Sequence, residues 1–549
     1  MKNLEIAKIF YNMSAYLEMT DIKFKPEAYE RAARAIETMP QDIEEVKLEN
    51  IPGVGRHIAD KIQEYLKTGK IKAYQKLKKQ IPVKIEELVA VEGIGPKRVK
   101  ILYKSLGIRN IKDLEKNAKA GKIAKLENFG EKTERNILKG IEFVKASQGR
   151  ILLGQALPIA ESIKQKLFKY CQKISIAGSL RRMQETIGDI DLLAAAEQSA
   201  IEHFVKMPGI KKIWAQGPTK ASVRLNAGFD VDLRIIKPAS WGSALQYFTG
   251  SKEHNISLRR IAISKGCKLN EYGLFKNNKK IAGKTEQEIY NKLGLDFIPP
   301  EIRQNTGELE NKLPDLIDYQ DIKGDLQIHT DWSDGTASLA AIIIAAEKLG
   351  YKYIAITDHA GYLSRVQNGL DKNRLFKQMR EIDKLKTKLK ILKGAEVNIT
   401  EDGKIDMKDE ILAKLDWVIA GVHSHMKMGK KAMTQRIIRA MQNPNINMIA
   451  HPTGRLINKR PAYELDLEAI FKAAKNTNTY LEINSSMDRL DLNCEIARKA
   501  IKFGLKLVIN TDSHSVFGLS QMHLGIAQAR RAWAEKKDIL NTKHELKIS

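Results

Sequence analysis

The spacing of apolar residues separates a helical N-terminal part of the chain from a mixed remainder. Over residues 1 to about 145, apolar positions recur with a period near 3.6, which predicts helices throughout. Residues 150–236 alternate that period with short β-branched runs, and this alternation predicts a mixed α/β domain. From Asp325 onward, seven apolar strand-like runs alternate with helical segments, a pattern typical of a parallel barrel.

A glycine motif recurs in the helical part at residues 51–55 and 91–95 and, in degenerate form, at 126–130. Glycine permits close backbone approach, and the free N–H groups at the start of the following helix suit a phosphate oxygen. One copy alone would indicate a plain corner between helices, whereas the repetition favours contact with a phosphate backbone. The glycines concerned are Gly53, Gly55, Gly93 and Gly95.

Two acidic residues begin an apolar run that is predicted to be a strand. Asp189 and Asp191 are two positions apart, so a strand directs both side chains to one face. Adjacent carboxylates repel each other unless a hard cation such as Mg²⁺ lies between them. A third carboxylate comes from the later strand-like run at 229–236, as Asp230 or Asp232.

The turn that precedes these acids decides how they are interpreted. An isolated acidic pair at a strand end is more often a solvated edge than a metal site. Here a turn entering a helix supplies N–H groups and guanidinium groups that suit phosphate oxygens. Three converging acids beside such a turn describe two-metal nucleotidyl transfer. The turn residues are Gly178, Ser179, Leu180, Arg181 and Arg182.

Composition narrows the choice of partner and compartment. The 549 residues require several domains, and a net charge of +27 with a pI near 9.6 favours a polyanionic partner. No apolar run is long enough for a transmembrane helix, and the N-terminus lacks the pattern of a signal peptide. Three scattered cysteines indicate reduced thiols and a cytoplasmic protein without a cysteine-based zinc site. DNA is therefore preferred to a membrane as the partner.

The glycine–serine turn, the acidic pair and the later acidic strand resemble the nucleotidyltransferase superfamily, specifically the DNA polymerase X branch related to DNA polymerase beta. The resemblance implies a palm at 149–237 and a thumb/fingers subdomain that selects the nucleotide at 238–298. It implies that Asp189 and Asp191 bridge two Mg²⁺ ions and that Asp232 holds the ion activating the primer 3′-OH. Asp232 is preferred to Asp230 because an apolar–arginine pair follows it, as in the family.

The same resemblance assigns a nucleotide pocket and a DNA contact. Without it, the aromatic pair Tyr247–Phe248 would be interpreted as core. Arg259 is implied to touch the template strand. The implied nucleotide-binding residues are Gly178, Ser179, Arg182, Gly188, Tyr247, Phe248, Gly250 and Asn255.

The N-terminal part resembles the lyase domain of polymerase beta over residues 1–81, followed by a second helix-hairpin-helix region at 82–148. Lys61 falls at the position of the lysine that attacks an abasic sugar through a Schiff base. Lys25 and Tyr29 match other pocket residues, whereas His57 stands where the relative has a lysine. The alternative is that Lys61 binds phosphate only.

The strand-like runs after residue 324 end in histidines and acids, which suit Zn²⁺ or Mn²⁺ in a site of two or three ions. The pattern resembles the PHP (polymerase and histidinol phosphatase) domain, here a (β/α)7 barrel at 324–549 behind a linker at 299–323. Gln327 replaces the first histidine of the family pattern, and His425 is an alternative to His423. The implied ligands are His329, Asp334, His359, Glu396, His423, His451, Asp512 and His514.

Arg455 and Lys459 follow His451, and we expect them either to grip a substrate phosphate or to be ordinary loop charges. The whole pattern predicts a monomeric DNA repair polymerase that fills short gaps from dNTPs. Its PHP domain is expected to act as a 3′-5′ exonuclease, 3′-phosphodiesterase or AP endonuclease on 3′ ends and abasic sites. Alternatives are a phosphatase of small esters with a vestigial polymerase half, a template-independent nucleotidyltransferase and a non-catalytic scaffold.

Overall fold

The computed structural model describes residues 2–20, 25–39, 41–147, 149–362 and 368–546. The predicted domain ends at residues 1, 148 and 549 lie outside these residues. Among the described residues, no helix has both the length and the apolar character needed to cross a bilayer. The three cysteines are free thiols.

Among the described residues up to 147 the regular elements are helices, with no strand, as their periodicity predicts. A single apolar core contains Phe10, Ile36, Leu102 and Ile137 and therefore runs across the predicted boundary at residue 81. The helices are α1 (Lys2–Met19), α2 (Lys25–Thr38), α3 (Arg56–Thr68), α4 (Lys72–Gln80), α5 (Ile85–Val89), α6 (Pro96–Leu106), α7 (Ile111–Lys119) and α8 (Gly130–Ser147).

A five-stranded mixed sheet follows, in the order β2-β4-β7-β6-β5, with the β4–β7 pair parallel and the other pairs antiparallel. A separate antiparallel pair joins β1 to β3. The elements are β1 (Ile151–Leu152), α9 (Leu153–Phe168), β2 (Cys171–Ile176), α10 (Gly178–Arg181), β3 (Thr186–Ile187), β4 (Ile190–Ala196), α11 (Ser199–Val205), β5 (Ile210–Gln216), β6 (Lys220–Leu225) and β7 (Asp230–Ile235).

The next subdomain packs helices on a small antiparallel sheet of order β10-β9-β8. Its helix α12 covers β4, because Ala244 and Leu245 share a buried cluster with Leu193. The elements are α12 (Trp241–Thr249), α13 (Lys252–Ser264), β8 (Lys268–Asn270), β9 (Gly273–Lys276), β10 (Lys279–Ala282) and α14 (Glu286–Lys292).

The predicted linker is a wrapped segment that is anchored at both ends. Ile302 is buried in the core of the preceding subdomain, and Ile317 is buried in the core of the barrel. Directly before Ile302, Glu301 accepts a hydrogen bond from Arg530 Nε over 2.7 Å.

The C-terminal part is a parallel barrel with the seven predicted strands plus the two-residue β13. The last strand returns to the first, since His329 N donates to Ser513 O over 2.8 Å. The elements are β11 (Gly324–Ile328), α15 (Leu339–Lys348), β12 (Tyr353–Ile356), β13 (His359–Ala360), α16 (Lys372–Asp383), β14 (Lys390–Asn398), α17 (Asp409–Leu412), β15 (Trp417–Gly421), α18 (Lys430–Met441), β16 (Met448–Ile449), α19 (Leu467–Thr477), β17 (Tyr480–Asn484), α20 (Cys494–Lys502), β18 (Leu507–Asn510) and α21 (Met522–Arg531).

A buried ion network joins the five-stranded sheet to the subdomain that follows it. Glu286 accepts hydrogen bonds from Arg181 over 2.6 and 2.9 Å and from Arg303 over 2.6 Å. Arg303 is fully buried, so its charge depends on this partner. The two guanidinium groups hold the pKa of Glu286 below its usual value against the effect of burial.

We predict that Glu286→Ala lowers the stability of the subdomain by about 3 kcal/mol or more, because it leaves a buried guanidinium without a counter-charge. Chemical denaturation, with unfolding of the subdomain monitored by limited proteolysis, measures the loss of stability. Gln287→Ala, on the exposed face of the same helix, is the control and should change little. Equal effects of the two substitutions would contradict the assigned role of the network.

Candidate active sites

The acids of the five-stranded sheet are brought together by strand register. Asp191 on β4 and Asp232 on the parallel strand β7 are direct partners across the ladder. The sequence predicted that Asp189 lies within the strand, whereas in the structure it lies in the bend before β4. The expected trio therefore lies where the inner strands β4 and β7 begin.

Gly178 lies against the central acid of this trio. A Cβ atom at Gly178 would fall 2.0 Å from Asp191 Oδ2, and φ is +59°. Ala177 N also donates to Asp191 O over 2.9 Å. The turn residues and the acid are thus fitted to each other, and no larger residue fits at position 178.

The electrostatics of the trio favour a bound cation. Burial, together with the neighbouring charges of Asp189 and Asp232, raises the pKa of Asp191 to about 7, against the lowering effect of Lys220 and Arg182. Lys220 Nζ lies 2.8 Å from Asp232 Oδ2. Carboxylate oxygens crowded in this way fit Mg²⁺.

The carboxylate oxygens of the three acids nevertheless do not all lie close to one another. Among the described residues, the groups of potential ligands whose atoms all lie within 4.8 Å of one another belong to the barrel alone. The pairing of Asp232 with Lys220 accounts for the more open arrangement, because it holds one carboxylate toward β6.

Asp230, the other acid of β7, is engaged elsewhere. Its Oδ1 lies 2.7 Å from Arg224 Nε and accepts a hydrogen bond from Trp214 Nε1 over 2.9 Å. Its register partner is Arg224 on β6, whereas that of Asp232 on the β4 side is Asp191. The structure therefore places Asp232, and not Asp230, beside the other two acids.

The two arginines of the turn do different things. Arg181 is held by Glu286 and by Thr249 Oγ1 at 2.6 Å, so the expectation that it grips phosphate is wrong for this structure. Arg182 donates to the carbonyl oxygen of Thr249, and burial lowers its pKa to about 10. A Cβ atom at Gly250 would lie 3.0 Å from Arg182 Nη1, so these two predicted residues are neighbours.

The predicted nucleotide-pocket residues cluster on α12 and α13. The rings of Tyr247 and Phe248 are half-buried and 5.1 Å apart. The amide of Asn255 accepts from Gln246 over 2.7 Å and donates to Tyr247 O over 2.7 Å. Arg259 Nε donates to Asn255 O over 3.2 Å. Both amide atoms of Asn255 are thus engaged by the protein itself.

Ser179 and Gly188 are each next in sequence to a residue of the acidic site, Ser179 to Gly178 and Gly188 to Asp189. Ser179 is half-buried within α10, and Gly188 is exposed directly before Asp189. Both positions leave backbone groups of the turn close to the acidic trio.

The first two glycine hairpins share one backbone geometry. Gly53 and Gly93 have φ of +77° and +84°. Gly55 and Gly95, which precede the first residues of the following helices, have extended backbone. The third copy has Asn128 in the left-handed position, with φ of +66°. The repeated motif therefore forms repeated helix-hairpin-helix units, as the sequence predicts.

Lys61 lies on α3, directly after the first hairpin. Its Nζ donates to His57 O over 3.1 Å and lies 6.0 Å from the ring centroid of Tyr29. The lysine is half-buried, and Lys25 is exposed at the start of α2. Lys61 and Tyr29 thus share one pocket.

The barrel gathers all eight of its predicted ligands at the ends of its strands. Glu396 lies at the centre, with its oxygens 3.2 Å from His329 Nε2 and 3.0 Å from His423 Nε2. Strand register contributes directly, because His359 on β13 is the partner of Glu396 on β14. The gathered residues are His329, Asp334, His359, Glu396, His423, His451, Asp512 and His514.

Several buried polar atoms in this cluster lack a hydrogen-bond partner among the described residues. They include both ring nitrogens of His329, Nδ1 of His451, Oε1 of Glu396 and Oε1 of Gln327. Burial lowers the pKa of His359 to about 3, so its imidazole is neutral at neutral pH. Mixed imidazole and carboxylate donors of this kind fit Zn²⁺ or Mn²⁺.

Gln327 and His423 contact the barrel cluster, whereas His425 does not. Gln327 is fully buried and donates from Nε2 to Glu396 Oε2 over 2.9 Å. His423 Nδ1 is hydrogen-bonded to Asn398 Oδ1 at 2.7 Å, which directs Nε2 into the cluster. His425 lies outside, 3.5 Å from Glu401, with 46% of its side chain exposed. The cluster therefore includes His423 and excludes His425.

Arg455 and Lys459 do not face the cluster. Arg455 forms two hydrogen bonds of 2.7 and 2.9 Å with Glu185, so the expectation of a phosphate grip is wrong for this structure. Lys459 lies 4.0 Å from Asp488. The Arg455–Glu185 pair ties the barrel to the five-stranded sheet.

Two residues of the cluster were missed from the sequence. Arg489 Nε lies 3.7 Å from Asp512 Oδ2, with 22% of its side chain exposed. Asn398 orients His423, and strand alternation placing it on the face of Glu396 was a usable signal. No local sequence pattern predicts the position of Arg489, because this residue lies in the loop after β17.

Family models match four segments of the chain. They are a helix-hairpin-helix domain over residues 1–71, a SAM-like helix-hairpin-helix tandem over 85–142, a DNA polymerase beta thumb over 244–304 and a PHP domain over 325–486.

The chain is similar to one named protein over nearly its whole length and to another over about a third of it. The "DNA polymerase/3'-5' exonuclease PolX" of Bacillus subtilis (strain 168) is 38% identical over 99% of this chain and 98% of that protein. A "Probable phosphatase" of Shewanella sediminis (strain HAW-EB3) is 31% identical over 37% of this chain and 82% of that protein. A solved ternary complex of Leishmania infantum polymerase beta is 26% identical and covers 40% of this chain and 97% of its own, with a TM-score of 0.27, too low to support a fold argument.

We predict that Gly178→Ala displaces Asp191 and weakens Mg²⁺ binding at the acidic trio at least about tenfold, since a lost ligand costs 1.4 kcal/mol or more. Calorimetric titration with Mg²⁺ measures the change. Gly217→Ala is the control, because a Cβ atom added at Gly217 would lie no closer than 3.7 Å to its nearest neighbour, Lys220 O. Unchanged affinity in Gly178→Ala would mean that Asp191 is not a ligand.

Proposed function

The chain belongs to the DNA polymerase X family, in the form that carries a C-terminal PHP domain, and we propose that it fills short gaps in DNA and processes 3′ ends from two separate centres. The observation that carries this proposal is the separation of two groups of donor side chains. Carboxylates alone stand on the five-stranded sheet, and imidazoles mixed with carboxylates stand in the barrel.

In the synthetic centre, Asp189, Asp191 and Asp232 would hold Mg²⁺. When bound, Mg²⁺ lowers the pKa of the primer 3′-OH and neutralises charge on the triphosphate. The backbone of the turn at Gly178 and Ser179 presents N–H groups to the phosphates. These groups are positioned before the substrate arrives, because Gly178 packs directly on Asp191.

The subdomain over residues 241–292 would select the nucleotide. The half-buried rings of Tyr247 and Phe248 offer an apolar surface to the deoxyribose, next to Gly250 and Arg182. Asn255 must exchange one of its two internal hydrogen bonds before it can reach a base. Arg259, one turn further along α13, would contact the template strand.

In the barrel, the eight gathered ligands would hold two or three ions of Mn²⁺ or Zn²⁺. Such ions make a water molecule nucleophilic and stabilise the oxygen that leaves phosphorus. Gln327 contributes a neutral amide oxygen where the family pattern has a histidine, and this oxygen is buried without a partner among the described residues. We propose phosphodiesters at 3′ ends and abasic sites as the substrates.

The helix-hairpin-helix units support a duplex DNA substrate. Contacts from hairpin backbone to phosphate are independent of sequence, as gap filling requires. Three such units and a net charge of +27 argue against a template-independent enzyme. The probable phosphatase matches 37% of the chain, and the relative that matches 99% of it is named as a polymerase and exonuclease.

Lys61 would remove the abasic sugar left at the 5′ side of a gap. Its amine would attack C1′ and expel water to form a Schiff base. β-Elimination would then break the C3′–O bond and leave a 5′-phosphate on the DNA, and hydrolysis of the imine would release the sugar from the lysine. The half-buried position next to Tyr29 shields the amine in part from solvent.

We predict that Asp232→Asn lowers dNTP incorporation on gapped DNA by roughly a thousandfold and leaves Mn²⁺-dependent 3′ hydrolysis intact. His359→Ala should do the opposite, because its ring belongs to the barrel donor set alone. Primer extension and end-processing assays on one-nucleotide-gapped DNA measure both activities.

The control for this pair is His425→Ala, which alters an exposed histidine outside the cluster and should leave both activities unchanged. If either single substitution removed both activities from a folded protein, the two centres would not be independent.

We predict that Lys61→Arg abolishes borohydride trapping on an abasic 5′ end while DNA binding stays within about threefold, since arginine keeps the positive charge but cannot form the Schiff base. Gel analysis of the trapped adduct and fluorescence anisotropy provide the two measurements. A surviving adduct would place the nucleophile on another residue, and the phosphate-only alternative would then hold for Lys61.

A further inference from the structure

Trp214 is an exposed tryptophan on the outermost strand of the five-stranded sheet. The residues of β5 after Ile210 are exposed, and 51% of Trp214 is accessible. Edge strands are commonly protected by charged side chains, and Lys211 and Lys212 do this here. An exposed indole does not serve that purpose and calls for another explanation.

The indole lies on the same face of the sheet as the catalytic acids. Its Nε1 donates to Asp230 Oδ1 over 2.9 Å. Asp230 and Asp232 are two residues apart on β7, so their side chains share one face. Trp214 is thus on the face that carries Asp232.

Two cations flank the indole. Lys212 Nζ lies 3.9 Å from the ring centroid, and Arg224 Cζ lies 5.9 Å from it. Arg224 and Lys212 are register partners on β6 and β5, and Arg224 Nε lies 2.7 Å from Asp230 Oδ1. The row therefore has a net positive charge together with an open aromatic surface, which is the combination that binds a nucleic-acid strand.

The order of the strands indicates which DNA strand would reach this row. The turn at Gly178 and helix α12 lie on the β4 side of the acids, so the incoming nucleotide approaches from there. Beyond Asp232 on β7 come β6 and then β5, on the side away from the nucleotide. The strand that ends at the acids must continue across β6 and β5.

Strand spacing gives the position along that DNA strand. Adjacent strands are about 4.8 Å apart, so β5 lies roughly 10 Å from β7. One DNA strand advances about 3.4 Å per nucleotide, so the row faces about the third nucleotide from the 3′ end.

We propose that Lys212 and Trp214 bind the DNA strand being extended, about three nucleotides upstream of its 3′ end. Lys212 contacts the phosphate at that position, the indole packs against a deoxyribose or base, and Arg224, paired with Asp230, lies beside the indole. This proposal rests on the synthetic function proposed above. It assigns to the outer strand a role in holding the primer while its 3′ end is extended.

The test compares wild type with Trp214→Ala and Trp214→Phe. We expect Trp214→Ala to weaken binding of a fluorescent primer–template about tenfold and to raise its KM in incorporation by a similar factor. The kcat should change little, and Trp214→Phe should keep most of the affinity because a ring remains. Phe168→Ala, which removes an aromatic ring 65% exposed on α9, is the control and should bind as wild type.

A second arm locates the contact. A primer with a neutral methylphosphonate at the third linkage from its 3′ end should bind wild type more weakly than an unmodified primer does. Lys212→Gln should bind the two primers equally, because the contact is already lost.

The proposal is overturned if Trp214→Ala binds DNA as wild type, or if Trp214→Phe loses as much affinity as Trp214→Ala, since the aromatic surface would then be irrelevant. It is also overturned if Lys212→Gln still discriminates between the primers. The binding arm needs no catalysis, so a protein that binds primer–template but incorporates nothing would contradict the proposed function without contradicting this contact.

Discussion

Register between parallel strands is the constraint on which both centres depend. On the five-stranded sheet it sets Asp191 opposite Asp232, and in the barrel it sets His359 opposite Glu396. A shift of one residue would turn each side chain to the other face of its sheet. Apolar residues between the ligands, such as Leu192 and Ala395, hold the register because they are fully buried.

The same constraint brings like charges and unpaired polar atoms together, which opposes folding unless cations compensate. Burial and neighbouring acids raise the pKa of Asp191 to about 7. In the barrel, Glu396 is surrounded by imidazoles, and several of their nitrogens have no partner among the described residues. Each centre therefore favours a different cation, since one offers oxygen donors only and the other adds nitrogen.

The two centres belong to one connected body. Arg455 of the barrel is paired with Glu185, three residues from Arg182 in the turn beside the acids. On the other side of the barrel, Lys427 lies 3.6 Å from Glu92 in the second hairpin. The second hairpin thus reaches the loop that follows His423. DNA held by the hairpins would be close to both kinds of chemistry.

Local sequence determined the element types and the hairpin repeats, because each depends on spacing within one short segment. The barrel strands agree with their apolar runs, and the predicted ligands, which rest on the resemblance to the PHP domain, stand where those runs end. Only the tertiary structure decided which of Asp230 and Asp232 joins the acids, and that Arg181 and Arg455 serve as structural partners. It also revealed Arg489 and Trp214. The physical reason is that a long charged or aromatic side chain takes its role from residues distant in sequence, and no local pattern records those contacts.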